Sequence, residues 1–245
     1  ASDLQKTNTR LEELNIQKTE FVSFATHQLR SPLTAMKGYA SLILEGDMGA
    51  VTPETKQAVE RIFDSSKTLT NVVDNYLNIS RIELGTMKYF ISTLDMKKLV
   101  EELIGEIKPN ITTAGLEINF TADAKETYMI EADADKFKQV IANLIDNSIK
   151  YTPKGKIDVT IDKNLKTHKI LFSLKDTGIG MSDKTLPKLF KKFSRSDKAS
   201  ETNIRGTGLG LYLAKEIVAA HKGKIWATSD GENKGSHFFV EMDAK

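Results

Sequence analysis

Residues 135–155 read DKFKQVIANLIDNSIKYTPKG, a helical pattern that is central to the second half of the chain. Its apolar residues recur at the spacing of one helix face, and a proline and a glycine end the pattern. The apolar residues are Phe137, Val140, Ile141, Leu144, Ile145 and Ile149. We predict an amphipathic helix that covers one side of a sheet.

Segments typical of strands surround this helix. The predicted strands are 116–120, 128–132, 156–162 and 169–176, followed by a closing pair at 223–230 and 236–242. Two more amphipathic helices are predicted, one that ends before Pro109 and one across 209–218. Because short strands alternate with helices, we predict an α/β sandwich in which the helices lie on one face of a mixed sheet.

Residues 1 to about 86 instead show long helical periodicity with one loop. The apolar stripe of the first helix comprises Leu29, Leu33, Met36, Ala40 and Ile43. Thr52 and Pro53 are typical of a helix start, and a second helix then runs to Gly85. Its stripe comprises Val59, Ile62, Ser66, Leu69, Val73 and Tyr76. A two-helix hairpin leaves much apolar surface bare, so we predict that it dimerises into a four-helix bundle.

Composition and charge exclude several classes of protein. The 245 residues include 35 basic and 33 acidic ones, and a net charge of +2 gives no reason to expect a nucleic-acid partner. There is no cysteine, which excludes disulfides and thiolate metal sites and fits a reducing compartment. No apolar run approaches the roughly 18 residues that span a bilayer, so we expect no direct membrane contact in this segment.

Three leucines close to residue 1 lie in heptad register, namely Leu4, Leu11 and Leu14. This spacing is typical of a coiled coil that enters from upstream. We expect this segment to be part of a longer protein that is either membrane-anchored or soluble, and we also expect a cytoplasmic location for it.

The stretch FATHQLRSPLTAMKGY (24–39) places a histidine ahead of a proline in the first helix. His27 lies roughly 200° around the helix from the apolar stripe, so its imidazole should point to water. Pro32 has no N–H for the carbonyl of Gln28, so we expect the helix to bend just past His27. An exposed imidazole suits a nucleophile, although a surface histidine on a kinked helix fits this segment equally well.

The predicted helix 135–155 also carries polar residues on one face. Asn143 and Asn147 are four residues apart, one above the other, and Lys150 follows one turn later. Amide oxygens beside an ammonium group suit Mg²⁺ and phosphate, because Mg²⁺ prefers hard oxygen ligands and is usually shared with substrate phosphate. Two asparagines on a helix are otherwise more often plain surface residues.

Two glycine motifs follow along the chain. KDTGIGM (175–181) ends a strand in Asp176, whose carboxylate can accept from a ligand, while Gly178 and Gly180 allow the backbone to approach closely. RGTGLGLYLAKEIV (205–218) is a glycine-rich loop that opens a helix and can bring N–H groups toward phosphate. Each motif alone also fits a structural turn or another nucleotide fold. Neither has the strand-first order of a dinucleotide fold, and there is no Walker lysine.

The stretch 24–39 resembles the H-box of sensor histidine kinases, which lies on the first helix of their dimerisation and phosphotransfer domain. The resemblance implies that His27 is the phosphoacceptor. Gln28 stands where the family usually has a Glu or Asp that is held to act as a base, and an amide cannot take a proton near pH 7. Ser31 stands where the family often has the Thr or Asn that positions a water for dephosphorylating a partner.

The later motifs resemble the N, G1 and G2 boxes of the catalytic domain of histidine kinases, a Bergerat-type fold shared with gyrase and heat-shock chaperones. The resemblance implies that Asn143 and Asn147 hold Mg²⁺ and that Lys150 meets phosphate. It also implies that Tyr151 packs beside the nucleotide and that Asp176 accepts from the adenine amino group. The other nucleotide-binding positions it implies are Gly178, Gly180, Gly206, Thr207, Gly208, Leu209 and Gly210.

LFKKFSRSD (189–197) resembles the F box of the same family. The resemblance implies that Phe190 and Phe193 anchor a lid over ATP, and we expect both phenylalanines to be core and hinge at once. It further implies that Arg195 reaches the γ-phosphate. The lid would run through 197–205, which is polar and poor in large apolar residues.

We therefore expect two domains: a dimerisation and histidine phosphotransfer hairpin at 1–88 and a catalytic ATP-binding domain at 89–245. The whole would be the core of a two-component sensor, a homodimer that phosphorylates His27 with ATP and Mg²⁺. It would then pass the phosphoryl group to an aspartate of a response-regulator receiver domain. Two alternatives stay open: a response-regulator phosphatase with weak kinase activity, in which Ser31 acts, and a nucleotide-sensing dimeric scaffold.

Overall fold

The computed structural model describes residues 2–113, 115–194 and 207–245. The helices are α1 (Ser2–Glu45), α2 (Pro53–Glu83), α3 (Met96–Thr113), α4 (Ala134–Tyr151) and α5 (Gly210–Ala220). The strands are β1 (Ser92–Asp95), β2 (Leu116–Ala122), β3 (Met129–Ala132), β4 (Gly155–Asn164), β5 (Lys169–Asp176), β6 (Lys224–Thr228) and β7 (Ser236–Asp243). The chain divides into two compact units, Ala1–Met87 and Lys88–Lys245.

The first unit is a helical hairpin of α1 and α2. As predicted, Thr52 caps the start of α2, where its Oγ1 accepts the N–H of Thr55 over 3.3 Å, and Pro53 occupies the first helical position. An ion pair between Arg30 and Asp74 joins the two helices. Its charges are partly exposed, so it aligns the helices more than it stabilises them.

Only one of the two heptad lines on each helix is buried inside the hairpin. The buried lines are Thr26, Leu33 and Ala40 on α1 and Val59, Ser66, Val73 and Ser80 on α2, and Val22, one heptad before Leu29, is buried as well. The other lines are between 45% and 51% exposed, and they comprise Leu29 and Met36 on α1 with Ile62, Leu69 and Tyr76 on α2. A four-helix bundle buries both lines, so the bare lines form the surface that a second hairpin would cover.

The second unit is an α/β sandwich around a five-stranded sheet in the order β2-β4-β5-β7-β6. β2 and β4 are parallel, and the other neighbours are antiparallel. Every second residue of the central strands is buried, for example Val159, Leu174 and Phe238, which lie side by side in the register. The apolar stripes of α4 and α5 are buried as well. The predicted mixed sheet with helices on one face is confirmed.

Two features of the second unit differ from expectation. β1, which pairs with β3 in a separate two-stranded sheet, was not predicted. α3 does not end before Pro109 but continues to Thr113. A proline removes one helical hydrogen bond, yet Ile111 beyond it is only 1% exposed, so the burial of that side chain favours continuing the helix.

α1 continues as one helix through Pro32. Across the described ranges, no helix combines the length and the apolar character that crossing a bilayer requires.

Candidate functional site

The carboxylate of Asp176 is a buried group that is held by three hydrogen bonds. Asp176 ends β5 and is 2% exposed. Its Oδ1 accepts the N–H of Gly178 over 2.9 Å and the N–H of Ser236 over 3.1 Å. Its Oδ2 accepts the hydroxyl of Ser148 over 3.2 Å. Because Oδ1 is fixed by two donors, Oδ2 is the atom with capacity left to accept from a ligand.

Burial raises the pKa of the Asp176 carboxyl above its ordinary value, and the hydrogen bonds from Gly178, Ser236 and Ser148 oppose that rise. A buried carboxylate with a spare acceptor position is suited to an amino group, such as the exocyclic amine of a purine. Such a donor would supply the fourth hydrogen bond and reduce the cost of holding the charge away from water.

The loop after Asp176 packs directly against the end of α4. The N–H of Ile179 donates to the carbonyl of Tyr151 over 2.9 Å. A Cβ on Gly178 would lie 2.2 Å from that same carbonyl oxygen, so only glycine fits here. Thr152 is 1% exposed, and its hydroxyl has no hydrogen-bond partner among the described residues. An unpaired hydroxyl beside this loop is a polar group that a bound ligand or water can satisfy.

A second loop, between β6 and β7, holds the same segment from the other side. The N–H of Asn233 donates to Ile179 over 2.6 Å, and the N–H of Gly235 donates to Gly178 over 3.1 Å. Gly180 has a φ of 65° and lies against this loop, where a Cβ would come within 2.1 Å of the Gly231 carbonyl oxygen. The position of the Asp176 loop is therefore set by main-chain contacts on two sides.

The start of α5 is joined to α4. The side-chain amide of Asn143 donates from Nδ2 to the carbonyl of Gly210 over 3.2 Å, which leaves Oδ1 as the atom that can bind a cation. Within the described residues no side chain caps α5 at Leu209, and Thr207 Oγ1 accepts only the N–H of Leu209 itself. The free N–H groups at this helix end suit an anion such as phosphate.

The second half of the predicted F box differs from expectation. Phe193 is not core, because its side chain is 65% exposed and its φ is 56°, a left-handed conformation that turns the chain. Its backbone packs against Gly208, where a Cβ would lie 2.7 Å from the Phe193 carbonyl carbon. Phe190 is half-buried. We expected both phenylalanines to lie in the core because two large apolar side chains occur so close together. The backbone turn at Phe193 instead directs that side chain outward.

The other predicted residues are placed as follows. Asn147 and Tyr151 are half-buried on α4, and Lys150 in its last turn is exposed. Arg195 and Gly206, and the predicted lid at 197–205, lie outside the described residues. In the first unit, the exposed side chains of α1 include His27, Gln28 and Ser31.

Ser148 is a site residue that the sequence analysis missed. It is 1% exposed, and its hydroxyl donates the hydrogen bond to Asp176 Oδ2. Its position continues the buried stripe of α4, where a serine stands in place of an aliphatic residue. A polar residue inside an apolar stripe is the signal that could have found it, because buried hydroxyls need partners.

The donor set also limits the metal that the site can hold. Within residues 2–113, 115–194 and 207–245, no group of three or more His, Asp or Glu side chains could bind a metal ion. The amide oxygens of Asn143 and Asn147 remain, and two neutral ligands hold a cation weakly by themselves. Such a pair fits Mg²⁺ that arrives with the phosphates of a nucleotide.

Comparison with known proteins identifies two family domains in the chain. A family described as "Histidine kinase-, DNA gyrase B-, and HSP90-like ATPase" matches residues 132–245, which include Asn143, Asp176 and Gly210. A family described as "His Kinase A (phospho-acceptor) domain" matches residues 17–85, which include His27.

Individual relatives agree with these domains. The sensor histidine kinase WalK of Bacillus subtilis is 32% identical over 234 residues, covering 93% of this chain and 37% of WalK. The full-length structure of ShkA in complex with AMPPNP covers 91% of this chain and 45% of its own, with a TM-score of 0.73 at 23% identity. The structure of the histidine kinase ThkA with the response regulator TrrA covers 99% of this chain and 66% of its own, with a TM-score of 0.62 at 23% identity. The two structures show the fold alone. The chain spans less than two fifths of the length of WalK.

Proposed function

We propose that this chain, which belongs to the sensor histidine kinases of two-component systems, uses ATP and Mg²⁺ to phosphorylate His27 and then passes the phosphoryl group to a response regulator. The observation that carries the proposal is the buried carboxylate of Asp176, which is fixed by three donors and has one acceptor position left. That position lies beside the loop at Gly178, where no other residue fits, and it suits a hydrogen bond from the amino group of adenine.

The nucleotide would extend from Asp176 toward the start of α5. Asp176 accepts from the adenine amino group, with Gly178 and Gly180 along the base and Tyr151 packed beside it. The main-chain N–H groups of Gly208, Leu209 and Gly210 would then meet phosphate, together with Thr207 and Gly206. This arrangement explains why Asn143 is bonded to the first residue of α5: one side chain sets both the cation position and the phosphate loop.

Charge on the phosphates is offset by cations. Asn143 and Asn147 would hold Mg²⁺ through their amide oxygens, and the ion would neutralise charge on the β- and γ-phosphates. Lys150 would donate to phosphate through its ammonium group, and Arg195 would reach the γ-phosphate. Phe193 would anchor the lid at its base. Catalysis of this kind rests on positioning and charge, because the protein forms no bond to phosphorus except at the acceptor.

At the acceptor, a ring nitrogen of His27 attacks the γ-phosphorus of ATP and forms an N–P bond. The bond from that phosphorus to the β,γ-bridging oxygen breaks, and ADP leaves with the electron pair. The imidazole releases a proton in this step, and Gln28 cannot take it because an amide is not a base near neutral pH. The proton therefore passes to water, and we expect a slower reaction than with a carboxylate at this position.

We propose that the active form is a homodimer that docks a receiver domain. The exposed heptad lines of α1 and α2 would pair with those of a second chain to complete a four-helix bundle. ThkA is known in a complex with a response regulator, which supports the same class of partner here. An aspartate oxygen of the receiver attacks the phosphorus of phosphohistidine, the N–P bond breaks, and His27 regains its proton.

The proposal is tested by incubating the intact chain with Mg-ATP and mapping phosphorylation by mass spectrometry at alkaline pH, where phosphoramidates survive. We expect a phosphoryl group on the peptide that contains His27, and none when EDTA removes Mg²⁺. Phosphorylation of a serine or threonine in place of His27 would contradict the proposal.

A further inference from the structure

The imidazole of His221 is buried where α5 ends, and both of its nitrogens are bonded. His221 is 8% exposed. Its Nδ1 lies 2.7 Å from the carbonyl of Ile217, so Nδ1 must carry the proton and donate. Its Nε2 then accepts, and it takes the main-chain N–H of Asp133 over 3.0 Å. The ring therefore links the last turn of α5 to the residue that precedes α4.

Asp133 is itself the junction of three segments. It is 5% exposed and caps α4, with Oδ1 accepting the N–H of Lys136 over 3.1 Å. Its Oδ2 accepts the N–H of Phe90 over 2.8 Å. The ring of Tyr89 packs edge-on against the ring of His221, with 5.2 Å between the centroids. The entry segment, defined as Tyr89–Phe90, lies next to the start of the second unit at Lys88 and is held by both helices.

α5 is consequently fastened to α4 at both ends. Asn143 bonds to Gly210 at its start, and Asp133 bonds to His221 just beyond its last residue. The helix has 11 residues, so it is about 16 Å long, and α4 spans a similar length between Asp133 and Asn143. One short helix thus connects the His221 contact to the end that carries the glycine loop.

We propose that His221 is a positioning residue through which the entry segment controls nucleotide binding, a regulation that rests on the function proposed above. Moving Tyr89–Phe90 removes one donor from Asp133 and one packing partner from His221. Both losses loosen the contact that fixes the far end of α5. Because coupling between two sites is reciprocal, nucleotide binding must in turn slow the exchange of the Phe90 amide hydrogen.

Two variants of His221 separate the effect of its two hydrogen bonds from the effect of filling buried space. In His221→Gln the amide can donate to Ile217 and accept from Asp133, whereas His221→Leu can do neither. His168→Asn, on the exposed hairpin between β4 and β5, is the matched control, because asparagine tolerates the positive φ of 50° found there. The intact chain is titrated with a fluorescent ATP analogue and Mg²⁺, and exchange of the Phe90 amide is followed by NMR with and without AMPPNP.

We expect His221→Leu to weaken nucleotide affinity by about fivefold or more, the lower end of typical coupling between sites. It should also abolish the slowing of Phe90 exchange, while His221→Gln and His168→Asn keep both properties. Tyr89→Ala should weaken affinity in the same direction, and it serves as the test if His221→Leu does not fold.

Three results would overturn the inference. The first is a His221→Leu chain that melts at a lower temperature but binds nucleotide and protects Phe90 as the wild type does. The second is a wild type that binds nucleotide with no change in Phe90 exchange, which leaves the proposed kinase function intact. The third is a wild type that binds no nucleotide, which removes the proposed function as well.

Discussion

The side-chain amide of Asn143 donates a hydrogen bond to the carbonyl oxygen of Gly210 over 3.2 Å. The residue that we propose as a Mg²⁺ ligand is thus also bonded to the end of the glycine loop that we propose to bind phosphate. The two roles use different atoms, Nδ2 for the loop and Oδ1 for the ion, so only an amide can perform both at once.

Asn143→Asp should therefore impair nucleotide binding although a carboxylate is the stronger Mg²⁺ ligand. The variant has no donor for Gly210 and places a negative charge beside its carbonyl oxygen, a loss of about 1–3 kcal/mol, or roughly 5- to 150-fold in affinity. Isothermal titration with Mg-AMPPNP measures this, and Asn71→Asp on exposed α2 is the control. Affinity at or above that of the wild type would show that the bond to Gly210 does not matter.

Asp176→Asn should lose adenine recognition without losing the fold. Oδ1 of the amide can still accept from Gly178 and Ser236, so Nδ2 must occupy the other position and donate to Ser148. That position then presents a donor to the adenine amino group, which is also a donor. We expect affinity for ATP to fall by about tenfold or more and affinity for inosine triphosphate, whose 6-oxo group accepts, to fall less. Equal losses for both nucleotides would contradict the assignment.

The same variant gives a pH test of stability. Burial raises the pKa of Asp176 in the folded chain, so the folded state binds this proton more tightly than the unfolded state does. Ionisation of Asp176 therefore costs stability, and the cost grows as pH rises from about 4 through the raised pKa. Denaturation with urea at several pH values should show Asp176→Asn at least as stable as the wild type at pH 7, with the difference shrinking toward pH 3.

The buried half of this site shows what the sequence could and could not predict. The apolar spacing from Phe137 to Ile149 located α4 to within three residues at each end, and the strand pattern of 169–176 placed Asp176 at a strand end, because helix and strand periods depend only on local sequence. The hydrogen-bond partner of Ser148 is 28 positions away, at Asp176, and that of His221 is 88 positions away, at Asp133. Local sequence patterns carry no information about such distant contacts. β1 escaped prediction for the same reason, since four residues make a strand only by pairing with β3.

Leu69→Glu should convert a dimer into a monomer. Leu69 is 48% exposed in the hairpin and lies on the bare heptad line of α2, where a second chain would cover it. A carboxylate in that interface must be desolvated without a partner, which an apolar seam does not tolerate. Sedimentation equilibrium measures the mass, with Lys67→Glu on the exposed side of α2 as control. Dimers of unchanged affinity in Leu69→Glu would place the interface elsewhere.

Heptad spacing alone could not assign these two lines. Both lines on α2 are continuous in the sequence, and only packing shows that Ser66 and Val73 face α1 while Leu69 and Tyr76 do not. Which line faces the other helix depends on the rotation of each helix about its own axis, and heptad spacing does not determine that rotation. Small side chains such as Ala40 and Ser66 lie on the buried lines.

Gln28→Glu should accelerate autophosphorylation. The substitution supplies the carboxylate that the family usually carries next to the histidine, and a positioned general base contributes about 10²-fold or more. Single-turnover labelling gives the rate, and Gln57→Glu on the exposed surface of α2 controls for the added charge. A rate that Gln28→Glu leaves unchanged would show that water accepts the proton in either case.

The most direct test of the central claim is to incubate the wild type and His27→Ala with Mg²⁺ and ATP labelled in the γ-phosphate, and to measure acid-labile label on the protein. We expect label on the wild type alone, and equal nucleotide affinity in both chains because His27 is not among the residues assigned to the nucleotide. Label of equal amount on His27→Ala, or no label on a wild type that still binds nucleotide, would contradict the central claim.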